Sequence, residues 1–82
     1  MKLVLLLQAQ EALDEICEPV LSRVLRRLRY LERFPELGAP MLGAFVGYRS
    51  TVVDMFRIVY RLRPRKVIEV AYIRDGRRAP LM

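Results

Sequence analysis

The stretch that decides the fold is Phe56-Arg57-Ile58-Val59-Tyr60-Arg61-Leu62. It is rich in β-branched and aromatic residues and alternates, which predicts a strand rather than a helix. Asp54-Met55 precedes it and Arg63 to Lys66 follows, two short turn-type stretches. Beyond them lie two further β-compatible runs, Tyr48 to Val53 and Val67 to Ile73. Connections this short predict antiparallel hairpins, and hence a three-stranded meander over residues 48–73. Alternation then sorts the side chains. Phe56, Ile58, Tyr60 and Leu62 are expected in the core, while Arg57, Val59 and Arg61 point to the other face. Arg49, Thr51 and Val53 are expected beside them if the register allows. Arg74, Arg77 and Arg78 follow directly on the last strand.

Upstream the period changes. Ala9, Ala12, Leu13, Ile16, Cys17, Val20, Leu21, Val24, Leu25, Leu28 and Leu31 fall on one helical stripe. Pro19 interrupts it and cannot donate to the carbonyl four residues back. One kinked helix and two helices both fit; the reading favours two, over 9–17 and 19–34. Cys17 on the stripe is expected as a buried small hydrophobe, and Phe34 as a cover for the end of the core. Pro35, Gly38 and Pro40 end the helix in a turn-rich connection. Met1 to Leu7 reads as a first strand. The whole is one small α+β domain of order βααβββ, an antiparallel sheet with a helical pair on one face.

The 82 residues carry a formal charge of +6. Residues 1–45 are balanced: Lys2, Arg23, Arg26, Arg27, Arg29 and Arg33 against Glu11, Asp14, Glu15, Glu18, Glu32 and Glu36. All the excess therefore lies in the second half, which predicts one strongly positive end and an acidic or phosphate-bearing partner. The arginines of the second helix read as a solvated face. With no histidine, histidine general catalysis and histidine zinc sites are excluded. A single cysteine forms neither an internal disulfide nor a cysteine metal cluster and suits a cytoplasmic protein. The longest uninterrupted apolar run, Leu3 to Leu7, is too short to span a membrane. No glycine-rich phosphate loop is present, no cofactor is expected, and the thin core of so short a chain leaves little room for one.

The order of these pieces resembles the RelE/ParE superfamily of bacterial type II toxin–antitoxin toxins. The residues that carry the resemblance are Phe34-Pro35-Glu36-Leu37-Gly38 after an Arg/Leu-rich helix, Gly47-Tyr48-Arg49-Ser50, the Phe56–Leu62 strand, Ile68–Ile73 and then Arg77-Arg78. The resemblance implies a cognate antitoxin that masks the basic surface; the apolar-rich helix pair of so short a chain predicts pairing, either with that antitoxin in a hetero-oligomer or with itself as a homodimer. It implies one of two targets: ribosome-bound mRNA, cleaved without metal, which is slightly preferred here, or DNA gyrase, inhibited by binding. A degenerate member acting as a nucleic-acid-binding module is the remaining reading. For RNA cleavage it assigns Arg57 and Arg77 or Arg78 as catalytic groups, with Arg49, Arg61 and Arg74 holding substrate. The family's nuclease tail carries a leading His and a closing Tyr; Gly76 to Leu81 here has neither. Tyr48 and Tyr72 are candidate substitutes as proton donors or base-stacking platforms, whereas Tyr60 reads as core.

Overall fold

The structure, a computed structural model, describes residues 1–76. Strand β1 (Lys2–Leu5) is followed by α1 (Leu7–Asp14) and α2 (Val20–Arg33), then β2 (Ala39–Pro40), β3 (Arg49–Val53), β4 (Phe56–Arg63) and β5 (Val67–Asp75). The strands form one sheet in the order β1-β5-β4-β3-β2. The expected meander is there, and two pairings complete it. β1 runs parallel to β5 at one edge, and the two-residue β2 lies antiparallel to β3 at the other. No helix among the described residues is long and apolar enough to cross a membrane.

The break at Pro19 gives two helices, as expected, but α1 ends at Asp14. Cys17 therefore falls between the helices and is exposed, contrary to the stripe reading. Glu18 starts α2: its carboxylate accepts the Ser22 N–H at 3.0 Å and the Ser22 hydroxyl at 2.7 Å, satisfying a first-turn donor with no partner inside the helix. Val24, Leu28 and Leu31, spaced by helical turns, are buried. They meet Val53, Ile58, Tyr60, Ile68, Val70 and Ile73 from one sheet face, with Ala9 and Ile16 closing the cluster. Phe34 does not cover this core. It is 57% exposed, with the Arg33 guanidinium over its ring at 5.8 Å. Leu62, expected inside, is also exposed, near the end of β4.

The β4–β5 ladder contains one irregularity, which decides the side chains that share a face. Val59 pairs with Tyr72 and Tyr60 with Val70, so Ala71 is an extra residue in β5. Such a bulge inverts the facing of everything beyond it. From Val67 to Val70 the inward positions are Ile68 and Val70; past the bulge the inward position is Ile73. Tyr72 and Arg74 are thereby turned onto the sheet face away from the helices.

Candidate nucleic-acid interface on the open sheet face

Residues directly opposite each other in a ladder share a face, so the register assigns the open face. Across β4 and β5 it holds the pairs Arg57–Arg74, Val59–Tyr72 and Arg61–Glu69. The two ends of this row differ in charge. At one end Arg61 Nε donates to Glu69 Oε1 at 2.8 Å, and its guanidinium lies over the Tyr48 ring at 5.1 Å. That hydrogen bond raises the Arg61 pKa further. At the other end two arginines face each other. Arg57 donates to Ser50 Oγ at 3.0 Å, and no carboxylate among the described residues pairs with Arg57 or Arg74.

A loop that the sequence pattern did not reveal lies over the middle of this face. Gly43 and Gly47, at φ 68° and 94°, bracket a short turn that carries Phe45. Phe45 makes edge-on contacts with Tyr48 (5.9 Å) and Tyr72 (6.2 Å). Val59, the cross-strand partner of Tyr72, is fully buried although it belongs to the open face and lies outside the main core cluster. The loop thus closes over the centre of the sheet and leaves the Arg57–Arg74 end open.

Arg49 is not on this face. Its cross-strand partner is Tyr60, which puts it on the helix side, together with Thr51 and Val53. There its guanidinium donates to the Gly38 carbonyl at 2.7 Å and the Glu36 carbonyl at 3.4 Å. The Tyr60 hydroxyl closes the same junction, donating to Pro35 O at 2.8 Å and accepting the Gly38 N–H at 2.8 Å. Burial pushes the Tyr60 pKa up, against the opposing pull of the Gly38 N–H and of Arg49. Gly38 has to be glycine: a Cβ there would stand 2.7 Å from Ser50 O and 2.8 Å from the Tyr60 hydroxyl.

No protein-family model and no curated protein sequence matches this chain. Solved structures do match. A chain of the toxin–antitoxin complex RelBE2 from Mycobacterium tuberculosis superposes with TM-score 0.81 at 18% identity, covering 90% of this chain and 95% of that one. The isolated E. coli RelE toxin gives TM-score 0.78 at 17% identity, covering 98% and 88%. A chain of the archaeal RelE–RelB complex from Pyrococcus horikoshii gives 0.73 at 20% identity, covering 95% and 97%. The chain has the RelE fold. A fold does not fix an activity, so the chemistry rests on this chain's own side chains.

In this RelE fold the second helix divides its arginines between two tasks. Arg23 pairs with Asp54 at 2.9 Å, holding the β3–β4 turn, where Asp54 sits at φ 52°. Arg27 donates to the Thr51 hydroxyl and, at 3.3 Å, to Val52 O. It thereby covers the stretch of β3 that extends beyond the short β2, as edge strands require. Arg26, Arg29 and Arg33 stay exposed, as the solvated-face reading expects. Of the six arginines singled out from the sequence, the structure brings Arg57 and Arg74 together, sets Arg61 apart in an ion pair and places Arg49 on the far side. Arg77 and Arg78 lie outside the described residues.

Proposed function

We propose that this chain is the toxin of a type II toxin–antitoxin pair and that it cleaves ribosome-bound mRNA on the open face of its sheet. The observation that carries this reading is the Arg57–Arg74 pair. Like charges placed directly across a ladder destabilise it, and here they occupy the exposed end of a face whose other end is neutralised. An anion that binds both relieves that repulsion. RNA cleavage through the 2′-hydroxyl passes through a phosphorane with added negative charge, and guanidinium groups stay charged and bind phosphate oxygens bidentately. In this reading Arg57 and Arg74 hold the scissile phosphate and stabilise that charge; the roles that the resemblance gives Arg77 and Arg78 fall outside the described residues. Arg61, tied to Glu69 and Tyr48, shapes the wall beside it.

Similarity to RelE chains in complexes with their antitoxins supports a cognate antitoxin as partner, and the +6 charge suits an acidic one. The test is to induce the chain alone in bacteria and follow labelled methionine and thymidine incorporation over minutes. Early collapse of methionine incorporation is expected. An early thymidine stop instead would identify DNA gyrase as the target, and no effect on either would remove the toxin reading.

A further inference from the structure

We infer that Tyr72 is the catalytic acid of this site, donating its phenolic proton to the 5′-oxygen that leaves the scissile phosphate. The inference rests on the cleavage reading above and names a group that this reading leaves unassigned. Arginines stabilise charge but are poor proton donors, because their pKa lies far above neutrality. A leaving alkoxide needs a proton from a group that is protonated at neutral pH and close to the phosphate. The chain contains no histidine. Lys2 stands at the β1 edge beside Val67, and Lys66 lies in the β4–β5 turn at φ 59°. Glu69 is held by Arg61, Tyr60 is locked at the Pro35–Gly38 junction, Tyr48 lies under Arg61 at the opposite end of the face, and Tyr30 is on α2, which packs against the other face.

Tyr72 remains, and the fold presents it. It is two residues from Arg74 on the same strand, and its partner Val59 is two residues from Arg57, so the phenol is the diagonal neighbour of Arg57. Diagonal neighbours lie within reach of an aromatic side chain. The Ala71 bulge is what puts it there. In an unbroken ladder continued from the Tyr60–Val70 pair, Tyr72 would oppose Ile58 and point into the core. Phe45 fixes the ring from the side, and the Tyr72 hydroxyl has no hydrogen-bond partner among the described residues. A side chain turned outward by a bulge, held by an aromatic edge and set on the same face as two arginines is arranged to meet a ligand.

The 2′-oxygen bonds to phosphorus and its proton passes to water, the P–O5′ bond breaks, and O5′ takes the Tyr72 proton, leaving a 2′,3′-cyclic phosphate and a 5′-hydroxyl. Water then returns a proton to the phenolate.

The decisive experiment is single-turnover cleavage of a short ribosome-bound mRNA by wild type and Tyr72→Phe. Two substrates are used, one normal and one with a bridging sulfur in place of the 5′-oxygen at the cleaved bond. A thiolate leaves without protonation, since a thiol is a far stronger acid than an alcohol. Tyr72→Phe keeps the ring against Phe45. It is expected to cleave the oxygen substrate about 10²–10⁴-fold more slowly and the sulfur substrate at the wild-type rate. Equal loss on both substrates would show a positioning role and overturn the assignment, as would wild-type cleavage of the oxygen substrate by the variant. Failure of the wild type itself to cleave either substrate would overturn the nuclease reading, and this inference with it.

Discussion

Arg57 and Arg74 stand directly opposite each other on β4 and β5, both on the sheet face turned away from the helices. The arrangement costs folding energy and is retained where the phosphate is proposed to bind, so stability and activity should respond to it in opposite directions. Arg74→Ala is expected to leave the fold as stable as wild type or stabilise it by about 0.2–1 kcal/mol. The same change should slow mRNA cleavage by about 10²–10³-fold, the usual effect of removing one donor to a developing oxyanion. Arg57→Ala should show the same activity loss with ribosome binding kept, and its stability gain is reduced by the lost bond to Ser50. Urea titration and single-turnover cleavage measure the two quantities on the same preparations.

Tyr60 predicts an alkaline limit to stability. Its folded pKa is raised by burial, so in the unfolded chain the phenol ionises first, near its ordinary value of about 10. Its contribution is thus fully present below that pH and is lost as pH rises through the folded pKa. Phenolate absorbance on this tyrosine should appear at higher pH in the folded protein than in the unfolded chain. Tyr60→Phe removes this pH dependence. At neutral pH it also orphans the Pro35 carbonyl and the Gly38 N–H, at a cost of about 1–3 kcal/mol in the urea titration.

How far the sequence carried the architecture can be judged at particular residues. The alternation from Phe56 to Leu62 and the short turns on either side were enough for the meander, because antiparallel pairing is local. The face of Arg49 was also legible in principle. A two-residue turn at Asp54-Met55 forces Val53 opposite Phe56, hence Thr51 opposite Ile58 and Arg49 opposite Tyr60. The bulge left a trace as well: the apolar positions Ile68, Val70, Ala71 and Ile73 break the two-residue period between 70 and 71. The loop over Val59 left none. Its contact from Phe45 to Tyr72 spans distant parts of the chain, and periodicity reports only on neighbours. The end of α1 was missed because the apolar stripe keeps its phase across a segment, Glu15 to Pro19, that is not helical.

Phe45 anchors that loop through two edge-on ring contacts, each worth about 0.5–1.5 kcal/mol beyond the area it covers. Phe45→Ala should therefore lower stability by about 1–3 kcal/mol. It should also release Met41 to Tyr48, seen as faster proteolytic cleavage within this segment. Phe45→Leu, which keeps the apolar cover over Val59 but not the ring edges, should fall between the two.

Arg49 and Arg57 are eight residues apart, carry the same charge and lie on opposite faces of the sheet. That separation gives the sharpest test of the site. Arg49 bonds two backbone carbonyls at the junction between α2 and β2, and hydrogen bonds from a charged donor are worth about 1.5–3 kcal/mol each. Because its side chain is only half-buried, the lower end of that range applies. Arg49→Ala should then lower the urea midpoint while its folded fraction cleaves mRNA at the wild-type single-turnover rate. Arg57→Ala should do the reverse, keeping the midpoint and losing the rate. If Arg49→Ala instead loses the rate with its midpoint unchanged, the substrate reaches around the β3 edge to the helix side, and the open face is not the whole of the site.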